Sequence, residues 1–274
     1  MYLTIDIGGT KTFIALFDDS GNIVESLKFP TDRDEKTFLN KLFIHLEQMR
    51  IPENPRNIVV AIPGLVENNS PKWFGNLPWQ NPPIAETLKK LYTSPAYFKN
   101  DADLATLYES QFYSGKLIYL TFSTGIGGGL AENGRLETTS AKFEPGHKIY
   151  TFDGQPLEWE DIASAKALIS ALNVEKVTSV IFPRKLNEIA RRVSIGLAPL
   201  IREYRPETIV FGGPLGLILP RFRFRLYYRL KQSLSENIPL PRLRKAKNPT
   251  RSVSYGAYLY GRKKVAKEQE SLGA

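Results

Sequence analysis

Asp6-Ile7-Gly8-Gly9-Thr10-Lys11 follows an apolar run, and 117 residues later Ser123-Thr124-Gly125-Ile126-Gly127-Gly128-Gly129 follows another. Residues of these types in this order suit the binding of phosphate. Glycine lets the chain turn sharply and leaves the backbone N–H groups of Gly8, Gly9 and Thr10 unhindered for an anion. The Thr10 hydroxyl adds a donor, and Asp6 faces that anion from the strand's end. Glycine turns between strands are usually structural, so the matched pair, rather than either turn alone, suggests one phosphate chain held from both sides. Asn100-Asp101 stands at the start of a helical pattern. Its carboxylate could take a proton from a hydroxyl, although Asn and Asp are also favoured helix caps. Glu144-Pro145-Gly146-His147 and Leu157-Glu158 carry side chains that can hold vicinal hydroxyls, against the default of a loop histidine at the surface. Gly212-Gly213-Pro214 closes a short strand in a turn that could admit a base and ribose, and by itself is an ordinary turn.

These residues need elements to position them. Leu3, Ile5 and Ile7 alternate with Tyr2, Thr4 and Asp6, the period of a strand with two faces, and Thr12 to Phe17 reads as its returning partner. The second copy repeats this grammar. Leu117 to Phe122 is strand-like and Thr124 to Gly129 is the turn. Leu130-Ala131-Glu132 then resumes before the Asn133-Gly134 hairpin signal. Leu3-Thr4-Ile5 aligns with Leu120-Thr121-Phe122. No Gly-Lys-Ser/Thr opens a helix, and no acidic ribose partner follows a dinucleotide fingerprint, so neither turn is a Walker loop or a Rossmann turn. Hairpins in duplicate point to an α/β chain with the two-lobed actin-like ATPase (ribonuclease H-like) fold, its βββαβα-type lobes duplicated around a central cleft. The expected lobes are 1–112 plus 253–274, the smaller, and 113–252, the larger.

Phe38, Leu42, Leu46 and Met49 follow helical spacing, and Ile58 to Ile62 reads as a buried strand ended by Pro63-Gly64. Asn68 to Pro83, rich in Asn, Pro and Trp, is expected to line the cleft, with Trp73 and Trp79 read as core rather than as sugar platforms. Ala96 to Phe98 reads as a strand leading into the Asn100-Asp101 helix. A further helix is expected near Asp161. A long one runs through Leu186, Ile189, Val193, Leu197, Leu200 and Ile201 before the strand Thr208 to Phe211. The segment from Ser252 to Lys267 reads as a helix returning to the first lobe.

The 274 residues suffice for one large or two modest domains. Hydrophobic content of 42% and charged content of 24% are ordinary for a globular protein. No apolar run approaches the ~20 residues of a membrane span, and the first strand begins at once, so neither a membrane partner nor a signal peptide is expected and the setting is read as cytoplasmic. The chain has no cysteine, which excludes disulfides and thiolate metal sites. Of the net charge of +9, residues 221–267 hold 14 Lys or Arg against Glu236 alone, leaving the rest at about −4. That basic stretch could attract nucleic acid, polyphosphate or another polyanion, or serve solubility alone. No nucleic-acid module accompanies it, so no specific nucleic acid is expected as a partner.

In the order of these motifs the chain resembles the ROK family, named for repressors, open reading frames and kinases, almost from end to end. Asp6 to Lys11 resembles its first phosphate motif, Asn100-Asp101-Ala102 its catalytic segment, and Thr124 to Gly129 its second phosphate motif. Glu144 to His147 resembles its sugar motif, and Val210 to Pro214 its adenosine-side turn. The resemblance implies Asp101 as general base. It implies Gly64, Asn76, Asn100, Asp101, Glu144, His147 and Glu158 around a hexose. Asp6, Gly8, Gly9, Thr10, Lys11, Thr124, Gly125, Gly127, Gly212, Gly213 and Pro214 would hold ATP, with Asp6 orienting Mg2+ through its water shell. The reaction implied is phosphoryl transfer from ATP to a hexose hydroxyl, glucose to glucose 6-phosphate first among the candidates, by a homodimer.

The departures are specific. Family members commonly carry a cysteine zinc cluster after the histidine. Tyr150 to Glu158 has no cysteine, so no structural zinc is expected, and His147 would need another partner to orient it. Ser123 replaces a common glycine, and Lys99 an often acidic or neutral residue. Two alternatives stand beside the kinase: a polyphosphate-dependent glucokinase, which also lacks the cluster, and a sugar-binding sensor without catalysis. A repressor is disfavoured, because such relatives resemble a kinase fused behind a helix-turn-helix and the first strand here begins at residue 3.

Overall fold

The computed structural model describes residues 1–49, 51, 54–75 and 77–272, and Asn76 lies outside the described residues. The chain is α/β and divides into two compact units, Met1–Tyr108 with Val253–Ala274, and Glu109–Ser252. The second unit opens on Glu109, whose carboxylate is engaged within it. The carboxylate accepts from the Lys247 and Asn248 amides and the Ser252 hydroxyl.

The first unit opens with strands β1 (Tyr2–Ile7), β2 (Lys11–Phe17) and β3 (Ile23–Pro30), followed by helix α1 (Glu35–Gln48). Asp34 caps α1 by accepting from the Thr37 amide at 2.8 Å, and Phe38, Leu42 and Leu46 form its buried stripe. Strand β4 (Ile58–Ile62) is buried at every residue, as a two-sided parallel strand must be. A short hairpin, β5 (Val66–Glu67) and β6 (Ser70–Pro71), helix α2 (Ile84–Lys89), strand β7 (Ala96–Asn100) and helix α3 (Asp101–Glu109) follow. The sheet order is β3-β2-β1-β4-β7, antiparallel through β1 and parallel from β1 to β7. Trp79 is buried against Phe38 and donates its indole N–H to the Arg33 carbonyl, whereas Trp73 is half exposed.

The second unit repeats the plan. Strands β8 (Lys116–Phe122), β9 (Ile126–Glu132) and β10 (Arg135–Leu136) are followed by a hairpin, β11 (Ile149–Phe152) and β12 (Gln155–Glu158). Helices α4 (Trp159–Ala163), α5 (Ala165–Leu172) and α6 (Pro183–Tyr204) lead to strand β13 (Thr208–Gly212), helix α7 (Gly213–Ser233) and strand β14 (Arg242–Lys245). The sheet order is β10-β9-β8-β13-β14, again antiparallel on one side and parallel on the other. Helix α8 (Ser252–Leu272) then packs on the first sheet. Tyr258 stacks on Phe17 at 4.9 Å and meets Tyr2 edge-on. Among the described residues no helix is long and apolar enough to cross a membrane.

Two details differ from the sequence expectation. The first hairpin's last pair is Ile7 with Thr12 and the second's is Phe122 with Ile126, so Ile7, not Ile5, is the counterpart of Phe122. The two-residue offset keeps every side chain on its face, which is why the triplets could be matched in either place. The second turn is also shorter than its glycines suggest. Gly127, Gly128 and Gly129 are paired in β9 opposite Thr121, Leu120 and Tyr119. A Cβ at Gly128 would come within 2.7 Å of the Tyr119 carbonyl oxygen and of Phe143.

Trp159 at the start of α4 is fully buried, and its ring fills the notch left by Gly196 on α6. The ring has no room to retreat. Gly196→Ala is therefore expected to overpack this contact and to lower the urea midpoint of unfolding, by about 1–3 kcal/mol in stability.

Candidate active site

In the first unit the parallel strands β1, β4 and β7 end on one edge, and the chain leaves that edge at Asp6-Ile7, Ile62 to Gly64 and Asn100-Asp101. Asn100 secures two of these ends. Its Nδ2 donates to the Gly64 carbonyl at 2.7 Å, and its Oδ1 accepts from the Asp103 amide at 3.0 Å in the first turn of α3. Gly64 holds φ +134° with the Trp73 carbonyl standing where a Cβ would project, a position closed to any side chain. Asp101 accepts from the Ala102 amide at 2.7 Å.

Asp6 lies in a cross-strand row with Phe13 and Lys28 on one side and Ala61 and Lys99 on the other. Burial, and next the Asp101 charge, push its pKa up from 3.8 to about 7, against the pull of Lys28. Two carboxyl groups that resist joint ionisation form a site that a divalent cation would relieve, so Asp6 and Asp101 fit one. Lys99 is directed elsewhere, its ammonium 5.3 Å from the Tyr260 ring centre.

The first glycine turn is closed by Gly8 N–H to Lys11 O at 3.0 Å, so this amide, expected to be free for an anion, is instead engaged within the turn, which is tied to the next segment by Thr31 N–H to Thr10 O. A Cβ at Gly8 would meet Lys11 O at 3.0 Å, whereas nothing lies within 4 Å of one at Gly9. Among the described residues no atom lies within 4 Å of a Cβ placed on Gly9, and Gly9, Thr10 and Lys11 are exposed.

In the second unit Ser123 N–H closes its turn on Gly125 O at 2.9 Å, and Thr124 is exposed at the tip. Glu144 and His147 flank a single 3-10 turn, Pro145–His147. His147 Nδ1 donates to Glu158 Oε2 at 2.9 Å, which supplies the orienting partner that the missing cysteine cluster left open. That bond, with the Glu160, Glu158 and Glu144 charges, raises the imidazole pKa above its usual 6.5 although partial burial opposes it.

Sequence reasoning missed Glu160. Ligand atoms of His147, Glu158 and Glu160 lie within 4.8 Å of one another, a set able to hold a cation or to grip hydroxyls. Glu160 Oε2 also accepts from the Ile126 amide at 3.3 Å and lies 2.5 Å from where a Gly125 Cβ would stand and 2.9 Å from that of Gly146. One carboxylate thus touches both the glycine turn and the Glu144–His147 segment. In sequence Glu160 reads as an acidic residue in a helix's first turn, with nothing to mark contacts 34 residues away.

The Gly212–Pro214 turn joins β13 to α7, with Gly213 at φ +63°. A Cβ on Gly212 would strike the Tyr119 hydroxyl, and one on Gly213 would lie 2.5 Å from Phe122 O. Close contact with β8 therefore accounts for these glycines by itself.

The profile described as "ROK family" matches residues 2–260. A xylose repressor of Caldicellulosiruptor bescii is 26% identical over 76% of this chain and 64% of its own length. A glucokinase of Streptomyces coelicolor is 29% identical over 60% of this chain and 56% of its own. The chain thus spans about three fifths of these two relatives. Among solved structures, the ROK hexokinase from Thermus thermophilus superposes with a TM-score of 0.76 at 26% identity, covering 97% of this chain and 99% of that one.

The Asp6 carboxyl binds its proton more tightly in the folded than in the unfolded chain. Its contribution therefore lowers stability as pH rises from about 4 to about 7. Asp6→Asn removes that loss. The variant's urea midpoint is expected to exceed that of the unmodified protein at pH 8 and to approach it at pH 5, and equal offsets at both pH values would refute the assignment.

Proposed function

The chain belongs to the ROK family, and from that membership we propose that it is a sugar kinase. It transfers the terminal phosphoryl group of ATP to a hexose hydroxyl, with glucose as the hexose and the carbon-six hydroxyl as acceptor. The observation that carries this reading is Asp101 at the first turn of α3, held beside Asp6 on a strand edge that the Asn100–Gly64 bond secures. A carboxylate so placed suits a general base, and a binding module has no need of one opposed by a second carboxyl. The similarity to a glucokinase and to a hexokinase supports the same reading.

Asp101 accepts the hydroxyl proton as the sugar oxygen attacks phosphorus, and the bond to the departing ADP oxygen breaks. Asn100, Glu144, His147 and Glu158 hold sugar hydroxyls, with the Gly64 backbone at the same ligand. Glu160 joins them on the strength of its contacts. Gly8, Gly9, Thr10 and Lys11 in one unit and Thr124, Gly125 and Gly127 in the other receive phosphates, and Gly212, Gly213 and Pro214 the nucleoside. Asp6 would hold Mg2+ through water, and the ion when bound would neutralise phosphate charge. The protein's share is positioning and preorganised electrostatics, which dominate phosphoryl transfer. A homodimer working in the cytoplasm completes the reading, on the family resemblance.

Mass-resolved phosphorylation of a hexose panel with ATP and Mg2+ tests it. Sugar 6-phosphate is expected from the unmodified protein. Asp101→Asn should lower kcat by about 10²–10⁴-fold while sugar affinity changes little. Sugar binding without product would overturn the kinase in favour of a sensor.

A further inference from the structure

We propose that Asn69 is a positioning residue for the hexose site: its side-chain amide clips the β5–β6 hairpin to β7 and so fixes the Gly64 backbone at which the sugar is held. The proposal rests on the kinase reading and adds to it a residue that acts through Gly64 rather than on the sugar itself.

Strand β7 lies at an edge of the first sheet, with β4 on one side only. On its open side the Asn69 side chain takes the place of a further strand. Its Oδ1 accepts from the Phe98 amide at 2.7 Å, and its Nδ2 donates to the Ala96 carbonyl at 3.0 Å. A primary amide carries an acceptor and donors in one plane, so it pairs with an edge strand's N–H and C=O as a peptide group would. Asn69 does this from the tip of the hairpin, where it holds φ +60°, a left-handed conformation that asparagine tolerates better than most residues.

The hairpin has no core of its own. None of residues 65–73 is buried, and Trp73 on the returning leg is 47% exposed. Leu65 N–H to Trp73 O at 3.1 Å and Lys72 N–H to Leu65 O at 2.8 Å join the two legs to each other and not to the sheet. Among the described residues, the hydrogen bonds between this segment and β7 are those of two side-chain amides that reach in opposite directions. Asn69 extends from the hairpin tip to the strand, and Asn100, at the strand's end, extends back to the Gly64 carbonyl at the hairpin root.

The root moves with the legs. A Cβ on Gly64 would lie 2.3 Å from Trp73 O and 2.9 Å from Gly75 N, so displacement of the returning leg displaces Gly64 as well. Asp101 is held differently, by the Ala102 amide within its own helix. Loss of the clip therefore acts on sugar binding and leaves the proton acceptor in place.

The test uses the full chain and the variant Asn69→Gly, which removes both bonds at a backbone conformation that glycine adopts freely. Asn68→Gly is the comparison, because Asn68 holds φ +48° at the same tip and its side chain makes no hydrogen bond among the described residues. Glucose affinity is measured by calorimetry without nucleotide, initial rates are measured with ATP, and exchange of the Phe98 amide is followed. Asn69→Gly is expected to raise the Kd and KM for glucose roughly fivefold to tenfold and to speed Phe98 exchange, with kcat and the KM for ATP within about twofold. Asn68→Gly should stay within about twofold throughout. Unchanged glucose affinity in Asn69→Gly, a fall in kcat with KM unaltered, or an equal loss in Asn68→Gly would overturn the proposal. Glucose binding without turnover by the unmodified protein defeats the kinase reading, while the affinity ratio of the two variants still decides the role of Asn69. Absence of glucose binding by the unmodified protein overturns both.

Discussion

Three parallel strands in each unit have their backbone groups paired side by side, so every segment leaving their carboxyl ends must turn on the same edge. This constraint gathers residues far apart in sequence. Asp6, Gly64 and Asn100-Asp101 meet in the first unit because β1, β4 and β7 stop together. The Asn100–Gly64 bond then ties two of those ends, so Asp101 is held by side-chain and backbone partners rather than by its place in a loop. The cost of the arrangement is electrostatic, since the edge that brings Asp101 into place also sets its charge beside a half-buried Asp6.

The second unit has the same edge but a different means of holding it. There a single carboxylate, Glu160, reaches the start of β9 and the two glycines Gly125 and Gly146, while Trp159 beside it is locked into α6 at Gly196. Packing of one indole ring therefore bears on the position of both the Ser123–Gly125 turn and the Glu144–His147 segment. The His147–Glu158 bond sits on the hairpin β11–β12, which runs directly into that anchored helix. That bond orients the histidine with a carboxylate, in a chain that has no cysteine.

The glycines divide by what surrounds them. Gly64, Gly128, Gly212 and Gly213 are required by neighbouring protein atoms or by a positive φ, and their presence says nothing by itself about a ligand. Gly9 faces open space, and its lack of a side chain is the more informative for that reason.

Taken alone, the sequence determined what depends on near neighbours. It set the two glycine hairpins and the helix with its Phe38, Leu42 and Leu46 stripe. It also set the buried strand at Ile58–Ile62 and the α/β class that their order implies, because periodicity and turn chemistry are local properties. It also carried the motifs by which the family is recognised. Tertiary structure alone decided the rest. It placed Gly127 in a strand, directed Lys99 to Tyr260, gave His147 its carboxylate partner and brought Glu160 to Gly125. It also raised the Asp6 pKa towards neutrality. Each of these depends on distances between residues far apart in the chain and on removal of charge from water, quantities that have no value until the strands are paired and the helices packed.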